Sequence, residues 1–195
     1  MLPRRLAAFL LPILLAGCGI NSVPTAEEEV NAAWANVQAD YQRRADLIPN
    51  LEATVRASAG SERQILTDVV NARARATSVQ LSAEDLDDPA KVQQFQQAQG
   101  ALGASLGRLL ANVEAYPDLK SQANFSTFMQ QIEGTENRIR ISVRDYNEAV
   151  RAYNTRIRTF PDAIGARLVH GAKPKTPFEA RAGAEAAPSV FQNGV

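Results

Sequence analysis

The sequence predicts an all-α protein, an elongated antiparallel four-helix bundle of coiled-coil character followed by a Pro/Gly-rich C-terminal tail. Three observations carry this prediction. The 195 residues are 45% hydrophobic but only 6% aromatic, the mix of Ala/Leu/Val/Ile-packed helices rather than of sheets. Apolar residues recur in steps of three and four over most of the chain. Only three prolines, at 49, 89 and 117, lie between Thr25 and Arg158, whereas those at 161, 174, 177 and 188 crowd the C-terminal stretch. A chain of this length holds one ordinary domain. It divides into a leader over 1–17, a lipidated terminus with a short linker over 18–24, a helical body over 25–160, and a tail over 161–195 that either straps along the bundle or is disordered.

The leader supplies an address. Arg4 and Arg5 precede an apolar run from Leu6 to Ala16, too short to span ~30 Å of hydrocarbon as a helix and of the right length for a signal peptide. Leu15-Ala16-Gly17-Cys18 resembles the bacterial lipobox, in which the cysteine thiol receives a diacylglycerol and cleavage leaves that cysteine, further acylated with palmitate-like chains, as the new N-terminus. Cys18 is therefore the expected lipid-attachment residue, and an uncleaved anchor helix is the alternative. Residue 19 is Gly rather than the Asp that commonly retains such proteins at the inner membrane. The expectation is a lipid-anchored envelope protein, on the periplasmic face of the outer membrane if the cell has two membranes. The linker from Gly19 to Pro24 reaches at most ~20 Å, so the body stays near the lipid.

Thr25-Ala26-Glu27-Glu28 reads as a capping box that starts the first helix. Its stripe is Val30, Trp34, Val37, Tyr41, Ala45, Ile48, Leu51 and Val55. The stripe keeps phase through Pro49, which leaves open a kink or a break near Asp46 to Pro49. Gly60 with Ser61 and Gln64 offers a second joint. Ile65, Val69, Ala72, Ala76 and Val79 carry the next helix to about Gln80, and a polar stretch runs from Ser82 to Asp88. Asp88-Pro89 is an N-cap with proline at N1, and the third helix runs to about Glu114. Its Gly100, Gly103 and Gly107 suggest close approach of a neighbour. The longest helix comes after Pro117, over 118–158, with an a/d seam of Ile132, Glu136, Ile139, Val143, Tyr146, Val150, Tyr153, Ile157 and Phe160. Leu168, Val169, Phe178, Val190 and Phe191 are the tail's apolar anchors.

Composition excludes several function classes. Lys plus Arg and Asp plus Glu are both 21, so no basic excess favours nucleic acid or supports membrane binding. One cysteine and one histidine leave no disulfide framework, zinc site or Cys/His dyad. A di-iron bundle needs Glu-x-x-His pairs; none exists, His170 lies in the tail, and Glu133 with Glu136 reads as a solvated pair or a partner for arginine. No phosphate loop or nucleophile elbow is present. The expectation is no enzyme, no metal and no cofactor. Glu136, in a seam position, calls for an arginine from another helix, with Arg43, Arg44 and Arg73 as candidates for a polar network between helices. A small-ligand or peptide pocket there is the functional alternative. Tyr146-Asn147 and Tyr153-Asn154 repeat at seven residues and suit core tyrosines with hydrogen-bonded hydroxyls.

Ala33-Trp34-Ala35-Asn36-Val37, Gln42-Arg43-Arg44-Ala45-Asp46-Leu47-Ile48-Pro49-Asn50-Leu51 and Ala72-Arg73-Ala74 resemble the first motif of the LemA family. Tyr116-Pro117, Asn124-Phe125, Thr135-Glu136-Asn137-Arg138-Ile139, Tyr146-Asn147, Tyr153-Asn154 and Phe160-Pro161 resemble its second. Phe178-Glu179-Ala180 and Pro188-Ser189-Val190-Phe191 match more weakly. The resemblance implies an antiparallel four-helix bundle on a membrane anchor, without an established activity. The expected role is a protein-binding or scaffold module with an envelope protein as partner. A small-ligand or peptide sensor is the alternative, and an unrecognised hydrolase is a third reading.

Overall fold

A computed structural model describes residues 21–58, 63–113 and 123–179. Among them every regular element is helical: α1 (Ser22–Ser58), α2 (Arg63–Ser78), a 3-10 turn (Glu84–Asp87), α3 (Pro89–Val113), α4 (Ala123–Arg156) and α5 (Asp162–Leu168). The leader, Cys18, the joint at Gly60 and Ser61, Pro117 and the first residues of the 118–158 helix lie outside the described residues. So do Val190 and Phe191, and the side chains of Leu51, Val55 and Ile65.

The capping box at Thr25 is not the start of α1. The helix begins at Ser22, and both the amide and the hydroxyl of Thr25 donate to the Asn21 carbonyl, at 3.2 and 2.8 Å. Thr25 is thus a first-turn residue whose hydroxyl bonds back along the helix. Pro24 is harmless so close to the start, where its missing N–H would be an orphan in any case. Val23, Ala26, Val30, Trp34, Val37, Ala45 and Ile48 are buried, and Tyr41 is half-buried.

Pro49 lies inside α1, which continues to Ser58. A proline cannot donate to the carbonyl four residues back, which leaves Ala45 C=O without its helical partner. The Arg73 guanidinium of α2 supplies the missing donor, its Nε to the Ala45 oxygen at 2.8 Å. The break is avoided because a neighbouring helix repairs the ladder.

The side-chain bonds fix the directions of packing. Arg156 at the end of α4 donates to the Ser22 carbonyl, and Arg44 meets Glu136, so α1 and α4 run antiparallel along their lengths. Trp34 and Gln38 donate to the Leu81 carbonyl while Arg73 reaches Ala45, which sets α2 antiparallel to α1. Gln99 donates to Ala76 and Val69 shares a core cluster with Leu106 and Leu109, which sets α3 antiparallel to α2. Asp88 accepts from Ala90 N and Lys91 N at 2.9 and 3.4 Å, and so caps α3 as expected. The stretch 82–88 is less polar in its role than in its letters, because the 3-10 turn drives Leu86 fully into the core.

The seam along α4 follows the expected one at Ile132, Ile139, Tyr146, Val150, Tyr153 and Ile157 and differs at Glu136, Val143 and Phe160. Phe125, Phe128, Ile132, Thr135, Ile139, Ser142, Tyr146, Val150, Tyr153 and Ile157 are buried. Glu136 and Val143 are only half-buried, one residue off the seam. Small hydroxyl residues can be buried there because each bonds to its own helix, Thr135 Oγ1 to Gln131 O and Ser142 Oγ to Ile139 O. Phe160 is 83% exposed, because α4 ends at Arg156 and the chain turns away before the expected last seam position. Leu168 and Val169 are likewise exposed, and Ala166 holds α5 to the core instead. At Gly107 no neighbour stands within 4 Å of where a Cβ would lie, so close helix approach does not explain that glycine.

Candidate functional site

Halfway along the helices a polar network joins all four long elements. Arg44 of α1 is 3% exposed. Its Nη1 donates to Glu136 Oε1 of α4 at 2.9 Å, and its Nη2 donates to Gln99 O and Oε1 of α3 at 2.9 and 2.8 Å. Gln99 Nε2 passes the chain on to Ala76 O of α2 at 3.2 Å. The guanidinium carbon lies 5.0 Å from the centroid of the Tyr41 ring, a cation–π contact that a planar, weakly hydrated cation tolerates well. Arg44 Nε has no partner although buried.

Of the sequence candidates, the structure brings Arg44 and Glu136 together. It assigns Arg73 to the Ala45 carbonyl and leaves Arg43 exposed. The buried end of the pair is the arginine, whereas the Glu136 side chain is 42% exposed. Gln99 was not among the candidates, and its signal lies in the stripe of α3. Val92, Phe95, Leu102, Leu106 and Leu109 are buried, and Gln99 stands in phase between them, a polar residue where the pattern asks for an apolar one.

Above the network lies an aromatic layer. The Trp34 ring sits 5.3 Å from Phe95 of α3, 5.6 Å from Tyr146 of α4 and 5.9 Å from Phe178. Phe178 belongs to an extended strap over 171–179. Asn147 Nδ2 donates to Phe178 O at 3.0 Å and Phe178 N donates to Asn147 Oδ1 at 2.8 Å. Asn154 brackets Lys175 in the same way, at 2.7 and 2.8 Å. Two helical turns between the asparagines cover ~10.5 Å, and three residues of extended chain cover ~9 to 10 Å. The heptad of the helix and the three-residue period of the strap therefore coincide. Ala172, Lys175 and Phe178 face the body while Pro174 and Pro177 face solvent. The strap is also tied to the 82–88 turn, by Thr176 N to Leu86 O at 2.8 Å. Lys175, 8% exposed, pairs with Glu27 at 3.0 Å.

The tyrosines are built into this layer. Tyr146 Oη donates to Thr176 O at 2.9 Å, and burial raises its phenol well above the ordinary range. Burial, with Glu27 and Asp87 nearby, pushes Tyr153 up to about 12. Both stay neutral and serve packing, which does not suit a phenolate base.

Between α3 and α4 an open groove of about 1550 Å³ runs from Phe178 down to Arg44 and Glu136, with Gln93, Gln96 and Gln97 on one wall and Arg140, Arg144 and Arg151 on the other. Among the described residues no group of three or more His, Cys, Asp or Glu side chains could hold a metal, and no helix is long and apolar enough to cross a membrane.

Fold and site together define a protein, all-helical among the described residues, whose buried arginine meets a half-exposed glutamate between helices and whose strap is held by two asparagines seven residues apart. The chain belongs to the LemA family, whose family model matches residues 33–191, a span that takes in the network, the strap and the groove. It is 28% identical over 170 residues to the magnetosome protein MamQ 2 of Paramagnetospirillum magneticum, covering 79% of this chain and 61% of that one. MamQ of Magnetospirillum gryphiswaldense is 26% identical over 172 residues, 80% and 62% of the two chains. Protein LemA of Metamycoplasma hominis is 26% identical over 141 residues, 72% and 60%. The chain thus spans about three fifths of the length of these curated relatives. Neither the family description nor their names carry an enzymatic activity.

Proposed function

We propose that this protein is a lipid-anchored envelope module that binds a protein partner in the groove between α3 and α4. The pairings of α4 with α1, α1 with α2 and α2 with α3 support a four-helix bundle with its fourth seam left open. That open seam is the observation that carries the reading. It is a channel walled by glutamines and arginines with apolar surface between them, a fixed cation at its floor, and Glu136, Glu148 and Glu179 along its length. The placing of both Arg44 and Glu136 on the lining of the groove favours a small-ligand or peptide sensor as a second reading of it. In that reading a carbonyl or carboxylate of the ligand accepts from Arg44.

The anchor is the lipid chains on Cys18, placed at the periplasmic face of the outer membrane where the cell has two. Fatty-acid labelling present in the wild type and lost in Cys18→Ala tests it; equal labelling refutes it. For the groove, a photoreactive residue at Gln97 should capture a defined membrane protein in cells, while one at exposed Ala32 on α1 should not. Equal capture at both positions counts against the groove.

A further inference from the structure

The end of the molecule that carries the start of α1 also carries an exposed apolar surface. Phe160 is 83% exposed, Ile164 55%, Leu168 81% and Val169 60%. Ile164 and Leu168 are four apart on the outer side of α5, while Ala166 on its inner side is buried against α1. Four large apolar side chains together on one exposed segment need an occupant.

Three observations indicate what covers them. Arg156 donates to the Ser22 carbonyl at 3.1 Å and pairs with Asp162 at the start of α5, so the patch sits beside the beginning of α1. Cys18 precedes Ser22 by four residues, a reach of at most ~14 Å. Within 158–173 the exposed cations are Arg158, Arg167 and Lys173, of which Lys173 pairs with Asp87 of the 82–88 turn at 3.2 Å, and Asp162 is the one acid, paired with Arg156 at 3.7 Å. Apolar side chains with the exposed Arg158 and Arg167 beside them, at the end nearest the attachment point, match the boundary between headgroups and acyl chains.

We infer that Phe160, Ile164, Leu168 and Val169 form a membrane-contact face that seats this end of the protein in the lipid surface. The inference rests on the lipid-anchored reading above. The face penetrates ~5 to 10 Å, the depth of the headgroup and acyl boundary. With the anchor it gives two points of attachment, which holds α1 and α4 upright and presents the groove at a set height above the lipid.

The test uses the full chain, extracted from membranes and reconstituted into vesicles of phosphatidylethanolamine and phosphatidylglycerol, with and without dibrominated phosphatidylcholine. Trp34, the only tryptophan, is 3% exposed in the core and gives a constant background. Phe160→Trp should add emission that is blue-shifted and quenched by the brominated lipid. Ile141→Trp, at an exposed position 15 residues before the end of α4, should add emission that is neither. Unquenched added emission from Phe160→Trp overturns the inference. So does a blue shift without quenching, which would mean that a protein covers the patch, and so does equal quenching of both variants, which would mean that the molecule lies flat. The mass of the N-terminal peptide from the same vesicles reads the anchor separately. Quenching in Phe160→Trp with unmodified Cys18 refutes the anchor alone, and acylated Cys18 without quenching in Phe160→Trp refutes the face alone.

Discussion

Arg73→Leu should destabilise the protein through a bond that only Pro49 makes necessary. The substitution keeps an apolar stem as far as Cδ and removes the donor to Ala45 O. A carbonyl that loses a charged donor at a partly covered site forfeits about 1.5 to 2 kcal/mol. For a chain of this size that is a fall in melting temperature of roughly 3 to 8 °C. The decisive measurement is a double-mutant cycle with Pro49→Ala, read by urea unfolding of the solubilised chain monitored by circular dichroism. Alanine at 49 restores an N–H four residues after Ala45, so the carbonyl regains its helical partner and the arginine becomes less needed. In that background Arg73→Leu should cost about 1 kcal/mol less than it does beside Pro49. Strict additivity would show that Arg73 acts through some other contact and would refute the reasoning.

The geometry also implies three further outcomes. Asn147→Ala and Asn154→Ala each remove two bonds to the strap, and each should cost about 1 to 2 kcal/mol and speed amide exchange over 172–179; unchanged exchange would mean that the strap is held by Phe178 packing alone. Gly107→Ala and Gly134→Ala should each stabilise by about 1 kcal/mol, since a Cβ at either position meets nothing within 4 Å; a loss in melting temperature would contradict that. Lys91, then the amide and hydroxyl of Ser82, lower the Asp85 carboxyl to about 2, so its contribution is complete above the ordinary carboxylate range and is lost as the pH falls toward 2. Asp85→Asn should flatten that part of the acid-unfolding curve.

The helical class, the cap at Asp88 and most of the apolar stripes were legible because they depend on neighbours three or four residues away. Reading Thr25 as an N-cap failed for a local reason: the same hydroxyl that caps a helix from outside can bond back along it from inside, and the choice depends on whether Val23 and Ala26 find a core. Most of the α4 seam was read correctly, but at two positions Glu136 and Val143 were taken in place of Thr135 and Ser142, because the pattern was read without the small hydroxyl residues. Which arginine meets Glu136 depends on the relative heights of α1 and α4, and no single helix encodes that. The Tyr-Asn heptad was visible, but its meaning was not, since it becomes informative only beside a second chain segment with a period of three.

That strap also has a consequence for the order of folding. Residues 171–179 come after every long helix in the chain, and their sites exist only once α4 stands beside the 82–88 turn, with Thr176 held by Leu86 on one side and Tyr146 on the other. The strap binds a surface that α1, α3, α4 and the turn build together, so it docks after they have packed. Until then Trp34, Phe95 and Tyr146 lack the Phe178 ring that completes their layer. A chain still being made therefore exposes an unfinished aromatic face. The strap acts as a final latch, and its closure marks a molecule whose helices have all found their places.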